Sequence, residues 1–465
     1  MKSTLKNNIK GFTTTLILML IFLPIGCESF VEVNDPKGQI PQAAIFENEE
    51  TATAAVTTLY ARLRDDVLLT GNLYGLNALM GLYSDEFDYY ATPGQPVDAF
   101  HNHTVIASND IIKTIWNGAY SVIYMSNSAL EGIEASESLS ESTKRQLKAE
   151  ALFVRSICHF YLLQLFGNVP YIQTTDYTAN QHVSRINSEQ VYINLVQNLL
   201  EAKELLTEDY VSVERTRANT FVVSALLARV YLYIGDWEKA QLESSIVINA
   251  PMYSLEANPA NEFLKESTSA ILQLKPKDAG QNTLEAITFS FVTGPPPLMA
   301  LSNELEEAFE TNDLRRQEWV LEISDGTQLW YAPYKYRQPA NTGTSLEYSI
   351  VLRLSEQYLI RAEARTNLGD LNGARDDLNQ IRHSAGLPET QAISNNEILQ
   401  AILNERRVEL FSEYGHRWLD LKRYGLTQEI LSPIKPNWKP TDILLPVPET
   451  ELLMNPNLAP QNPGY

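Results

Sequence analysis

Apolar residues recur at steps of three and four through much of the chain. Leu147, Ala151, Val154, Cys158, Tyr161 and Leu165 form one such stripe. The spacing predicts a long amphipathic helix stopped by Gly167 and Pro170. Ala55, Leu59, Arg62 and Leu63 predict an earlier helix over 52–65, ended by Gly71, and Trp116–Tyr120 leads into another through Ile123 and Asn127 to Leu130. Near the C-terminus Leu399, Leu403, Arg406 and Leu410 share a helical face that an arginine interrupts. A buried charge left without a partner costs roughly 3–5 kcal/mol, so Arg406 is expected to lie along the core with its guanidinium on a carboxylate. Arg155, inside the 147–165 stripe, reads as a second paired structural cation.

Two segments repeat each other. Ala228-Arg-Val-Tyr-Leu-Tyr-Ile-Gly-Asp-Trp-Glu-Lys-Ala240 aligns with Ala362-Glu-Ala-Arg-Thr-Asn-Leu-Gly-Asp-Leu-Asn-Gly-Ala374. Small alanines let paired helices approach, and Gly-Asp makes the turn between them, which is tetratricopeptide logic. The copies lie 134 residues apart, where an uninterrupted array repeats every 34 or so. Something large is therefore inserted. Residues 250–350 change character, with Pro251, Pro259 and the run Gly294-Pro295-Pro296-Pro297. Alternation over Ala286–Val292 and Trp330–Arg337 predicts short strands among long loops. Ile350–Leu354 reads as a further strand, handing over to the last repeat helix with Ser355 as N-cap. The fold class is mostly α, with tetratricopeptide-like repeats and an irregular, partly β insertion.

Composition narrows the partners. The 465 residues carry a formal charge of −21, and removal of a 26-residue leader, with Lys2, Lys6 and Lys10, moves it to −24. Such a surface repels phosphate backbones, which argues against nucleic acid. The 23 tyrosines and 6 tryptophans supply many polar-tipped rings. The two cysteines, Cys27 and Cys158, form no disulfide framework, and Cys158 on its apolar stripe is expected to be a buried thiol. The basic start and the apolar run Leu16–Leu23 make a secretory leader, too short for a membrane span of about 20 residues. Leu23-Pro-Ile-Gly-Cys27 follows at once and looks like a lipobox, in which Cys27 is acylated. The acidic, proline-punctuated stretch after it reads as a tether.

One loop-like stretch concentrates binding chemistry: Asp85-Glu-Phe-Asp-Tyr-Tyr-Ala-Thr-Pro-Gly-Gln-Pro-Val-Asp-Ala-Phe-His-Asn-His103. Flat rings cover the apolar faces of sugar units, while amides, carboxylates and imidazoles hydrogen-bond the hydroxyls, the mixture a neutral oligosaccharide needs. No phosphate loop, zinc-binding helix or nucleophile elbow occurs. His101 and His103 lack a third metal ligand nearby, so neither metal nor cofactor is expected. Asp85, Glu86 and Asp88 are the obvious pair-forming acids for a glycosidase, against the simpler reading of a hydrogen-bonding loop cluster.

Asn404-Glu-Arg-Arg-Val-Glu-Leu-Phe-Ser-Glu-Tyr-Gly-His-Arg-Trp-Leu-Asp-Leu-Lys-Arg-Tyr-Gly425 closely resembles the C-terminal signature of the SusD/RagB family of Bacteroidetes outer-membrane nutrient-binding lipoproteins. Lys148–Pro170, Tyr334–Arg337 with Arg353–Glu356, the acidic stretch after Cys27, and the terminal Leu445–Glu449 and Asn455–Tyr465 are similar to the family as well. The resemblance implies a leader over 1–26, a lipidated Cys27 and tether over 27–50, and one domain over 51–465 with its loop-rich insertion at about 250–350. That domain would hold four tetratricopeptide-like units and an extended C-terminal cap, with Lys335 and Arg353 in structural roles. It further implies a non-catalytic, cell-surface protein of the outer membrane that captures a neutral oligo- or polysaccharide and passes it to a TonB-dependent (SusC-like) transporter, opening over it like a lid. By position in the family, the glycan site is expected from Tyr89, Tyr90, His101, Asn102 and His103 on one side and Trp330, Tyr331 and Tyr334 on the other. The rivals are a surface glycoside hydrolase and a protein-binding tetratricopeptide scaffold.

Overall fold

In the computed structural model the described residues are 42–66 and 68–465. The leader, Cys27 and most of the tether lie outside them. The long helices are α1 Glu49–Asp65, α2 Leu76–Tyr83, α3 Asp110–Ala135, α4 Glu141–Phe166, α5 Ser188–Leu205, α6 Thr220–Ile234, α7 Trp237–Ile248, α8 Leu354–Leu368, α9 Leu371–Ser384, α10 Asn395–Glu409 and α11 His416–Arg423. Helix α4 is long and apolar enough to cross a membrane, but its apolar window is wholly buried, so it is the spine of the core. It packs between α3 and α5 and ends at Gly167, where φ is 71°.

The two internal copies are helical hairpins of one design. Gly235 and Gly369 sit in the left-handed region at φ 82° and 86°, closing α6 and α8. Asp236 and Asp370 then cap α7 and α9, each carboxylate accepting a backbone N–H one turn ahead, from Lys239 and Gly373. Ala228, Ala240, Ala362 and Ala374 are fully buried at the helix contacts. Despite their separation in sequence, α7 of the first hairpin packs directly on α8 of the second. A buried ion pair also joins the hairpins, with Arg229 Nε and Nη2 on the Glu356 carboxylate at 2.7 and 2.6 Å.

The intervening chain leaves this stack and returns as small sheets. Strands β1 Phe87–Tyr89, β3 Met299–Leu301, β4 Val320–Ser324 and β5 Leu329–Pro333 form an antiparallel sheet in the order β1-β3-β5-β4, and β2 Ala270–Leu274 pairs with β6 Ser349–Arg353. Two sequence expectations are corrected. Residues 284–289 are a short helix, because the Thr283 hydroxyl accepts from Ala286 N–H and caps it; the 286–292 alternation is that helix running into a loop. Helix α8 starts at Leu354 with Arg353 in the cap position, so Ser355 lies buried in its first turn.

The charged positions of the helical stripes are also placed. Arg406 Nε donates to Asp420 at 2.7 Å, a carboxylate partner of the expected kind. Arg155 is held differently, by the amide oxygens of Asn127 and Asn198 at 2.7 and 3.1 Å, which join α3, α4 and α5 without a second charge. Cys158 is a buried free thiol.

The C-terminal end of α10 meets β6 and the segment after β5 in a buried ionic cluster. The Glu409 carboxylate takes Arg353 and, at 2.8 Å, Arg315. Glu413 accepts from Arg353 Nε at 2.8 Å and from the Lys335 ammonium, which also donates to the Glu409 and Phe411 carbonyls at 2.8 Å. The C-terminal segment runs back over the body, with Leu445 N–H on the Leu165 carbonyl and the Asn462 amide on the Phe166 carbonyl, both at 2.8 Å. Removing one partner of a buried ionic group strands the others. Glu409→Ala is therefore expected to cost about 3–5 kcal/mol in urea denaturation, against about 1 kcal/mol for Ser394→Ala, which breaks the exposed capping box of α10.

Candidate functional site

An open cleft of about 540 Å³ lies where β1, the loop after it and the first turn of α3 converge. One wall is the loop before α2, carrying Leu73 and Tyr74. A second is the chain from Tyr89 through Val97, and the third is Asp110, Ile111 and Thr114 of α3, with Leu298 beyond. Each wall is fastened by backbone bonds. Asn72 Oδ1 accepts from Tyr74 N–H at 2.8 Å, and Gly75 is required there because a Cβ would fall 1.7 Å from the Thr70 carbonyl. Asp98 Oδ2 accepts from Gly94 N–H at 2.7 Å, and Gly94 occupies φ 82°. Asn109 both caps α3 through Ile111 N–H and donates to the Pro96 carbonyl at 3.1 Å, tying the second wall to the third.

Two tyrosine rings face this space. Tyr74 is 52% exposed. Tyr89 is half-buried, and its hydroxyl donates to the Thr92 carbonyl at 3.2 Å. Leu73, Pro96, Val97, Ile111 and Leu298 give the cleft apolar surface, and Thr92, Gln95, Thr114 and Asp110 supply hydroxyl, amide and carboxylate groups. Among the described residues lining it, Asp110 is the single charged side chain at neutral pH. Such a lining offers ring faces for stacking and hydroxyl, amide and carboxylate groups for hydrogen bonds.

The residues expected from sequence are distributed by strand parity. Register pairs Phe87 with Leu301, Asp88 with Ala300 and Tyr89 with Met299, and Leu301 with Tyr331. Tyr89 and Tyr331 thus share the face of Phe87 and Leu301, while Asp88, Tyr90 and Trp330 belong to the other face, where Trp330 packs in a small core with Phe291, Ala300, Ile323 and Ala332. His101 stands beside Tyr89 with ring centroids 6.3 Å apart; burial, helped by the Lys435 ammonium, lowers its pKa to about 4, so it is a neutral imidazole at neutral pH. Asn102 is spent on Asp98 Oδ1 at 2.7 Å. Tyr331 lies under the Arg316 guanidinium at 5.0 Å and Tyr334 under Arg337 at 4.9 Å.

Two of the expected residues are core. His103 is 3% exposed, its Nε2 bonded to the Tyr83 carbonyl at 2.9 Å and its ring packed on Tyr83 and Trp438. Trp330 is 5% exposed because Gly294 lies flat on its indole, so close that a Cβ there would come within 1.9 Å of the ring. The acids proposed as a hydrolytic pair are also engaged. Asp85 binds Arg417 at 2.6 and 2.7 Å and Arg407 at 2.8 Å. Glu86 is fully buried, and its carboxyl is pushed up to about 8 by burial and the neighbouring Asp85 charge. Sequence reasoning missed Tyr74, Gln95, Asp110 and Thr114; a ring between two glycines in Gly71-Asn-Leu-Tyr-Gly75 was the available signal.

The fold and cleft define a class: a tetratricopeptide-like helical frame with an inserted sheet that presents a ring-lined cleft carrying one carboxylate. Residues 38–232 match a family model described as SusD-like, starch-binding and associating with the outer membrane, and residues 320–465 match the SusD family model. The chain belongs to the SusD/RagB family. It is 27% identical to SusD-like protein P2 of Formosa agariphila over 98% of this chain and 100% of that one. A SusD-like protein of Bacteroides ovatus is 25% identical, covering 94% of this chain and 86% of its own length. Among solved structures, a laminarin-binding SusD-like protein superposes with a TM-score of 0.78 at 23% identity, over 90% of this chain and 100% of that one. Surface glycan-binding protein A from Bacteroides thetaiotaomicron, in complex with laminarihexaose, gives 0.74 at 20%, over 89% and 99%.

Buried titratable groups give the fold a defined pH profile. Glu86 at about 8, and Glu262 and Glu285 at about 7, lie above their ordinary 4.5, mainly because burial disfavours the charged form. Their contribution to stability is complete below pH 4.5 and is lost as pH rises through 7 to 8. His101 at about 4 and His159 at about 3 lie below the ordinary 6.5, so their contribution is complete above pH 6.5 and lost toward those values. Glu409, held at about 2 by Arg353 and Arg315 against its burial, adds to the loss below 4.5. Between pH 4.5 and 6.5 the three glutamates and the two histidines act in opposite directions, so thermal melts should peak near the acid end of that interval, fall below it, decline gently across it, and fall most steeply just above pH 6.5. Glu86→Gln should flatten the fall between 6.5 and 8; an unchanged slope would place the proton elsewhere.

Proposed function

We propose that this chain is a non-catalytic, lipid-anchored glycan-binding protein of the outer-membrane surface, which captures a neutral oligo- or polysaccharide in the cleft of Tyr74 and Tyr89 and delivers it to a TonB-dependent transporter. The observation that carries the reading is the cleft's composition: two accessible rings, apolar walls, several short polar groups and one carboxylate. Membership of a family described as starch-binding supports the ligand class, and the similar structures named for laminarin and laminarihexaose support it further. The lipobox at Cys27 and the family's association with the outer membrane support the anchored location. The domain limits implied by the resemblance, with a single sugar-binding body from residue 51 onward, belong to the same proposal.

The test is affinity electrophoresis of the purified protein against soluble laminarin, starch, xylan and galactomannan, with reducing ends assayed in parallel. Retardation by at least one glycan without release of sugar is expected. Tyr89→Ala and Tyr74→Ala should each weaken it by about tenfold, equivalent to about 1.4 kcal/mol. Release of reducing ends would establish the hydrolase reading instead, and capture of a peptide with no glycan retarded would establish the scaffold.

A further inference from the structure

A second cavity opens on the other flank of α3. It measures about 420 Å³ and lies between α3, the chain after α4 and the C-terminal cap. The arc of α3 explains the arrangement. At 100° per residue, Thr114 and Asn117 stand about 60° apart around the helix, with Tyr124 and Tyr120 about 20° and 60° further round on the Asn117 side. Thr114 lines the first cavity and Asn117 the second. Their separation along the helix axis is about 4.5 Å.

The second cavity has a rigid apolar floor. Trp116 is buried against Phe166 and against the Tyr120 ring, whose centroid is 5.0 Å away, and the Tyr120 hydroxyl is fixed by donating to the Pro170 carbonyl at 2.8 Å. Above it stands Tyr124, 52% exposed. The opposite wall comes from the C-terminal cap, where the Asn455 and Asn457 amides donate to the Val183 and His182 carbonyls at 2.8 and 3.0 Å. These bonds hold the cap beside the 180–183 stretch, and Glu451 and Asn455 share the lining with Asn117 and Gln181. Among the described residues that line it, Glu451 is the one charged side chain. A rigid aromatic floor, an accessible ring and a rim of amides with a single carboxylate suit a sugar, whose apolar ring face stacks and whose hydroxyls both donate and accept. Asn455 and Asn180 already donate to the Val183 and Thr174 carbonyls, so the groups left to meet sugar hydroxyls are the exposed Asn117 amide and the Glu451 carboxylate, the latter disfavouring an anionic ligand.

We propose that this cavity is a second saccharide subsite, taking a neutral sugar unit with Tyr124 as its platform and acting together with the first cleft on long chains. The proposal rests on the glycan-binding reading above. It predicts two sites for a short oligosaccharide and a gain in affinity on polymers from linking them.

The test uses the full chain, calorimetry with the disaccharide of whichever panel glycan retards the wild type, too short to occupy both cavities at once, and affinity gels with the parent polymer. Two disaccharides per wild-type chain are expected, and one in Tyr124→Ala. On the polymer Tyr124→Ala should lose about tenfold in retention, with Asn117→Ala showing a loss in the same direction. Melting curves of both variants, substituted at exposed positions, report that the fold is kept. One disaccharide per wild-type chain, or polymer retention in Tyr124→Ala equal to wild type, overturns the subsite while leaving the first cleft standing. If no glycan of the panel binds the wild type, both readings fail together.

Discussion

The fold turns on a carboxylate with two arginines on it. Glu409 ends α10, and its two oxygens receive Arg353 from the end of β6 and Arg315 from the short helix before β4. Each of these groups is buried, and each would be prohibitively placed alone, because desolvating a charge costs several kcal/mol unless another charge and its hydrogen bonds offset it. Together they fix three segments that are distant in sequence: the repeat stack, the two-stranded sheet and the insertion. Lys335 closes the cluster, its ammonium 4.0 Å from the centroid of the Phe411 ring and burial lowering its pKa to about 8. Beside them Glu262, 3.4 Å from the Arg353 guanidinium, has its carboxyl raised to about 7, chiefly by burial and further by the Glu409 and Glu413 charges.

The same device positions the cleft. Asp85, directly before β1, is held by Arg417 of α11 and Arg407 of α10, so the strand that ends in Tyr89 is fastened to the C-terminal helices rather than to its neighbours in the chain. Asn77 adds a second tie, accepting from Tyr414 N–H at 2.6 Å and donating to Glu285 at 3.2 Å. At Gly415 the backbone passes so near α2 that a Cβ would come 2.8 Å from that of Met80. Cations drawn inward by these contacts are absent from the cleft's described lining. Its near-neutral composition is a consequence of where the structural pairs are placed, as much as of what the cleft contains.

The helical frame was legible because its signals are local. Gly235-Asp236 and Gly369-Asp370 state a left-handed cap followed by an N-cap, and both hairpins use them that way. The stripe containing Arg406 called for a carboxylate, and Asp420 supplies it. Arg155 carried the same signal but is held by two amides, since burial requires hydrogen-bonding partners and a sequence does not say which oxygen arrives. The alternation over Ala286–Val292 reads as a strand because its first four residues, Ala-Ile-Thr-Phe, fit either period, and the bond that decides for the helix 284–289 is the Thr283 cap. The ring-rich segment around Tyr89 was found, whereas Tyr74 was not, because it reaches the cleft only through the turn that Gly75 permits.

Parity explains why neighbouring aromatics in one segment end in different environments. Tyr89 and Tyr90 are adjacent, yet a strand sends successive side chains to opposite faces. Tyr89 turns to the face of Met299 and borders the cleft; Tyr90 turns toward Trp330, whose indole lies within hydrogen-bonding reach of its hydroxyl. A shift of one residue between β1 and β3 would exchange them and carry Phe87 out of its stack on Phe289, whose centroid is 5.3 Å away. The register is therefore held by the apolar residues that flank the site. Phe87, Leu301 and Phe289 make no contribution to the cleft's own lining, and they decide which tyrosine it receives.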